Sequence, residues 1–203
     1  SASAPTNGNL EQVINTNGGG SAGTIAATSG KWYWEVTGTH NGNDAGAVGI
    51  LRSEYADSNS ITSTGGLYYY NYNGNKYIDG TSSAYGATWN GVGNTYTIGV
   101  ALDLDGGTVT FYKDNAGQGS ISLPSASYGW VPHNVHGSGT GSFDVVCNFG
   151  QRSFQYTPPT NHKSLCTQNL PDPTIKDGST VFNVALYSGT GSSRSITGLS
   201  FSP

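Results

Sequence analysis

The chain has 203 residues, only 10% of them charged, and a net charge of −4. No run of Lys or Arg is available to neutralise a phosphate backbone, and no stretch of about 18 apolar residues could span a bilayer as a helix. Nucleic-acid binding and membrane insertion are therefore set aside. Low charge alone would suit a disordered chain, but 13 Tyr, 6 Phe and 4 Trp supply a core.

The length fits one domain of about 100–200 residues with additional segments. A chain that opens Ser1-Ala-Ser-Ala4 and lacks methionine reads as an excised piece of a longer protein. Cys147 and Cys166 are the only cysteines. They allow one bridge or two buried free thiols, and two cysteines decide no redox compartment.

In chain order, residues 1–23 form a polar, Gly-rich segment; Leu10, Val13, Ile14 and Ile25 suit short strands and Asn17-Gly-Gly-Gly20 a turn. Gly30 to Thr37 is predicted as a strand, with Trp32, Trp34 and Val36 on the core face and Tyr33 and Glu35 on the exposed face. Ala45 to Leu51 is a second buried strand. Residues 52–66 follow as a long polar loop, of the kind that is functional or mobile.

Leu67-Tyr-Tyr-Tyr-Asn-Tyr72 and Lys76-Tyr-Ile78 flank Asn73-Gly-Asn75 as a hairpin. In the next hairpin, Ile98, Val100, Leu102 and Leu104 alternate with Thr97, Gly99, Ala101 and Asp103. Asp105-Gly106-Gly107 turns the chain, and Val109 and Phe111 return. Ile121 to Leu123 and Trp130 to Pro132 are short strands, Gly137 to Gly141 a flexible loop, and Phe143 to Phe149 a strong strand. Pro158-Pro159 ends the sandwich. Val181 to Leu186 and Ile196 to Phe201 are predicted strands beyond an irregular tail. Many short apolar runs with turn residues between them indicate an all-β chain.

Four pieces in this order resemble a SPRY domain. They are Gly30-Lys-Trp-Tyr-Trp-Glu-Val36, Ala47-Val-Gly-Ile50, Ile98 to Asp105 with Gly107 to Tyr112, and Asn148-Phe-Gly-Gln-Arg152 with Phe154. The resemblance implies a SPRY-type, concanavalin-like antiparallel β-sandwich over residues 24–158, after an N-terminal segment 1–23 and before a short C-terminal β extension over 159–203. It also implies binding without catalysis or cofactor. The Gly/Ser/Asn-rich texture and the tail Thr157 to Pro171 look like SPRY modules of bacteriophage tail, fibre and other virion proteins. Ala185 to Gly191, with Ser195 to Pro203, looks like the opening of a further β-repeat.

That resemblance points to a virion or extracellular setting. Its partners would be a host cell-surface glycan or protein, or neighbouring virion subunits, with room for a homo-oligomer in the full-length protein. A structural spacer and an intracellular protein-interaction domain are the rival readings.

The expected ligand-binding residues lie on loops. Arg52 and Tyr55 belong to the 52–66 loop. Tyr68, Tyr70 and Tyr72 share one side of their strand, and Tyr offers flat apolar area with a polar tip. Trp130, His133, Val135, His136 and Gly137 form the remainder, because Val135-His136-Gly137 occupies the place of a Val-Trp-Gly-like ligand-gripping segment in SPRY domains. The His133/His136 pair lacks further metal ligands nearby, and the turn accounts for Asp103 and Asp105 without calcium. Glu35 and Glu54 are the glutamates a glycosidase reading would invoke, and nothing places them across a cleft.

Overall fold

The structure is a computed structural model. It describes residues 4–15, 19–56, 60–125, 127–172, 175–182, 184–193 and 195, the side chains of 42–45 and 138–140 excepted. The chain divides into two compact units, Ser1–Asn169 and Leu170–Pro203.

The first unit is all-β. Its strands are β1 (Glu11–Ile14), β2 (Gly20–Ala22), β3 (Lys31–Arg52), β4 (Gly66–Tyr70), β5 (Lys76–Ile78), β6 (Thr81–Ser83), β7 (Thr95–Asp103), β8 (Thr108–Lys113), β9 (Ala116–Ser122), β10 (Trp130–Asn148) and β11 (Lys163–Ser164). β3 and β10 pair antiparallel along almost their whole length, from Arg52 opposite Trp130 to Glu35 opposite Asn148. The first half of β3 pairs with β7 on its other side, and the second half pairs with β4.

The two long strands are therefore shared by both layers of an antiparallel sandwich. One layer runs β1-β10-β3-β7-β8-β9, and the other runs β2-β10-β3-β4-β5-β6.

The sequence predicts two strands at 30–37 and 45–51 with a loop at 137–141, and the structure corrects both expectations. Each is part of one continuous strand, with a register shift between His136 and Ser138. The glycines that read as breakers make room at the crossover instead. A Cβ on Gly38 would lie 2.5 Å from the Phe143 ring, and one on Gly46 would overlap the same ring.

Between the layers, Trp34, Val36, Val100 and Phe111 face Val48, Ile50, Leu67 and Tyr69, all buried. Tyr69 packs 5.7 Å from Phe111 and 5.7 Å from Trp89, ring centre to ring centre. At the crossover His40 stacks on Phe143, with ring centres 4.9 Å apart and planes 8° apart. Its Nδ1 lies 3.1 Å from Asn71 Nδ2, and Asn71 Oδ1 accepts from Gly46 N–H at 2.9 Å. This satisfies buried polar groups that the core would otherwise penalise.

Glu35 is not on an exposed face as expected. It is buried, and it accepts hydrogen bonds from the backbone N–H groups of Gln155 and Tyr156, each at 2.8 Å. The chain after β10 folds back over this side of β3, where Phe154 meets Tyr33 edge to face at 5.0 Å. Pro158-Pro159 does not end the packing either. β11 runs parallel to β3 beside Trp32 and Tyr33, and Leu165 is buried.

Cys147 and Cys166 are free thiols. In the second unit Lys176 pairs with Asp172 at 2.7 Å, and a 3-10 turn spans Gly178–Thr180. The described residues of the predicted strand 181–186 are not paired as a strand, and the predicted strand 196–201 lies outside the described residues. So do Asn17 and Gly18 of the predicted turn at 17–20.

The buried phenols give the fold a pH limit. Burial pushes Tyr33, Tyr68 and Tyr69 well above the usual tyrosine range, and pushes Tyr85 up to about 12. A phenol whose pKa is higher when folded than when unfolded loses no stability below the unfolded value of about 10. Above it the unfolded chain releases a proton that the folded one keeps, so stability falls by up to about 1.4 kcal/mol per pH unit for each fully buried phenol. Titration at 295 nm is expected to show one group of tyrosines ionising near pH 10 and a second group ionising together with loss of the β circular dichroism. A single smooth transition with unchanged dichroism would contradict this.

Candidate functional site

The 52–66 loop leaves β3 at Arg52, which lies opposite Trp130 across the sheet. Arg52 N–H donates to Gly65 O at 2.9 Å and Ser53 N–H donates to Gly129 O at 2.8 Å, so both neighbouring segments are tied to the strand end. A short 3-10 turn at Ser53–Tyr55 then lifts Tyr55 over the arginine. The guanidinium centre lies 5.0 Å from the Tyr55 ring and 4.7 Å from the Tyr128 ring. Both distances suit cation–π contact.

Arg52 Nη2 donates to Asp79 Oδ1 at 2.9 Å, and the same oxygen accepts from Gly65 N–H at 2.7 Å. Asp79 and Gly80 are the two central residues of the β5–β6 turn, at φ 48° and 79°. That is the left-handed pair a two-residue hairpin needs. A Cβ on Gly80 would meet Thr62 O at 2.5 Å, so the turn packs directly beneath the 60–65 stretch. Ile61 anchors that stretch by burial against Ala47, Tyr68, Tyr70 and Val135. The result is a fixed guanidinium between two aromatic rings, with Tyr55 39% exposed above it.

The structure does not bring the ten sequence-predicted residues onto one face. Arg52 and Tyr55 come together at one end. Trp130 is buried beneath that end and donates from Nε1 to Ser125 O at 3.2 Å. Tyr68, His133 and Val135 are buried under the loop, with Tyr68 OH 2.8 Å from His133 Nδ1. These three support the loop from below.

Tyr70, Tyr72, His136 and Gly137 sit at the other end of the same layer, five or six residues along β3, or roughly 17–20 Å at about 3.3 Å per residue. There His136 is buried, Gly137 is half-buried, Tyr70 is buried against Tyr77, and Tyr72 is 61% exposed. The strand alternation separates Tyr69 from Tyr68 and Tyr70 as expected, but both sides are covered. Tyr69 enters the sandwich, and the loop covers the other two.

Asp79 and Tyr128 are site residues that sequence reasoning missed. Ile78-Asp-Gly-Thr81 carries a signal that would have found the first, because Asp-Gly between short strands is a two-residue hairpin turn. Tyr128 carries no local signal, since the pairing of β3 with β10 delivers it. Among the described residues no three His, Cys, Asp or Glu side chains come together as a metal-holding group. The arrangement can stack flat groups on the exposed Tyr55 ring, which the guanidinium, on a side chain only 11% exposed, holds from below.

Comparison with known proteins agrees with this architecture. Residues 31–127 match the SPRY domain family. The crystal structure of the SPRY domain of human HERC1 superposes with a TM-score of 0.54 at 21% identity, covering 71% of this chain and 97% of that one. A second human SPRY domain structure gives 0.52 at 16% identity, with 75% and 99% covered. At these identities the likeness is one of fold. No curated protein matches the chain. Residues 31–127 of the sandwich built on β3 and β10, just under half of the chain, are thus similar to SPRY domains.

Proposed function

We propose that this protein is a non-catalytic binding module of a phage-like virion protein, attaching to a glycan or protein of the host surface through the Arg52 end of its sandwich. The single observation that carries the choice of face is the Arg52 guanidinium, pinned by Asp79 between Tyr128 and the exposed Tyr55. Exposed aromatic rings and arginine are the side chains that dominate recognition surfaces. Hydrogen bonds from Arg52 and Gly65 to Asp79 and the burial of Ile61 already order this end, which lowers the ordering cost of binding. The Gly/Ser/Asn-rich sequence supports the virion setting.

A screen against an array of bacterial surface glycans and against fixed bacterial cells tests the proposal. The wild type is expected to bind at least one of these surfaces. Arg52→Ala is expected to bind it at least tenfold more weakly, with its β circular dichroism unchanged. No binding by a folded wild type would sink the attachment reading and leave a structural spacer. Equal binding by the variant would sink the choice of face.

A further inference from the structure

On one side of the sandwich β1 closes one layer and β2 closes the other, each paired to a different half of β10. Packed sheets stand about 10 Å apart, and side chains from both must fill the space between them. Here the edge strands do not. β2 and the residue after it read Gly20-Ser-Ala-Gly23, and Ala22 brings only a methyl group. A Cβ on Gly23 would lie 2.9 Å from Pro132 Cδ, so that position takes no side chain. The result is a cavity of about 470 Å³, bordered by Ala22 and by Leu10, which leads into β1.

A packed interior leaves few voids larger than a water molecule, whereas small-molecule pockets occupy roughly 300–1,000 Å³. Leu10, Ile25, Pro132, Phe149 and Leu165 form an apolar wall, and Thr24, Thr167 and Gln168 are exposed at the mouth. The wall is held from both layers. Leu10 O accepts from Cys147 N–H at 2.7 Å, and Gly23 N–H donates to Pro132 O at 2.7 Å. Gln151 fixes the turn that carries Phe149, since its Oε1 accepts from Phe149 N–H at 2.7 Å and its Nε2 donates to Cys147 O at 2.9 Å.

Charge selects the occupant. Among the described residues, no Asp, Glu, Lys, Arg or His lines the cavity. An ion entering it would lose its water and meet no counter-charge. The hydroxyls and carboxamide at the mouth donate to and accept from neutral polar groups instead. From these observations we infer that the cavity between the β1 and β2 edges is a binding site for an uncharged, mainly apolar molecule the size of two linked rings, with a hydroxyl, carbonyl or amine facing Thr24, Thr167 and Gln168. The inference does not depend on the attachment reading, because no lining residue belongs to the Arg52 arrangement.

Fluorescence titration of the full chain with two dyes of one skeleton tests it. N-phenylnaphthylamine is neutral, and anilinonaphthalene sulfonate carries one negative charge. The neutral dye is expected to bind saturably at one site per chain, with a dissociation constant below about 50 µM. The sulfonate is expected to bind at least tenfold more weakly. Ala22→Phe puts a ring into the cavity and Thr24→Trp covers its mouth from an exposed position. Each is expected to weaken the neutral dye at least tenfold with the β circular dichroism unchanged. A folded wild type that shows no saturable binding overturns the inference, and so does equal binding of the two dyes. Wild-type affinity in Thr24→Trp together with wild-type affinity in Ala22→Phe overturns it too, since the dye then sits elsewhere.

Discussion

Gly49→Ala is expected to cost about 4 kcal/mol or more, enough to leave most of the chain unfolded or insoluble. Gly49 lies in the middle of β3, level with Tyr68 on β4 and His133 on β10. A Cβ there would overlap the carbonyl oxygen of Leu67 and approach Tyr68 Cα to 2.9 Å and its ring to 2.6 Å. The obstacles include backbone atoms of the paired strand, so no rotamer change relieves them. Separating β3 from β4 would also uncover the Tyr68–His133 contact and the loop above it. Urea denaturation checks this, and a midpoint within 1 kcal/mol of wild type would mean that the strands can part locally.

Glu35→Ala is expected to be the most costly change at a charged residue, at roughly 3–5 kcal/mol. Its carboxylate accepts from Gln155 N–H, Tyr156 N–H and the Tyr33 hydroxyl, and alanine leaves one buried and two part-buried donors without that acceptor. Each orphaned donor costs about 1–3 kcal/mol. The predicted structural consequence is local. The 153–156 segment lifts from β3, and Phe154 leaves Tyr33. Glu35→Gln keeps an acceptor oxygen and is expected to lose about half as much. Hydrogen exchange at the Gln155 and Tyr156 amides separates this account from general destabilisation. Both should be protected in wild type and exchange rapidly in Glu35→Ala, while the Val100 amide stays protected.

Where a strand faces core on one side, its alternation is plain in the sequence, and β7 and β8 appear where Ile98, Val100, Leu102, Val109 and Phe111 put them. The Asp105-Gly106-Gly107 turn is equally legible, since Gly107 takes φ 65°. Legibility fails where one segment covers another. Glu35 reads as surface because its partners lie 120 and 121 residues along the chain. Tyr68 and Tyr70 read as an exposed row because nothing local announces that Ile61 folds over them.

The long strands fail for another reason. Glycine marks both a turn and a close approach, and only the position of Phe143 distinguishes them at Gly38 and Gly46. The candidate site shows the same division. Arg52 and Tyr55 are near neighbours in sequence and lie together in the fold. Asp79 and Tyr128 reach the same guanidinium through sheet pairing alone.

The central claim is that recognition occurs at the Arg52 end of the sandwich and not at the Tyr72 end. The most direct test compares Tyr55→Ala with Tyr72→Ala on whichever arrayed glycan or fixed cell surface the wild type binds. Both rings are exposed and neither is in the core, so both variants should fold. The account predicts at least tenfold weaker binding for Tyr55→Ala and wild-type binding for Tyr72→Ala. Loss of binding confined to Tyr72→Ala would contradict it and move the recognition face to the opposite end.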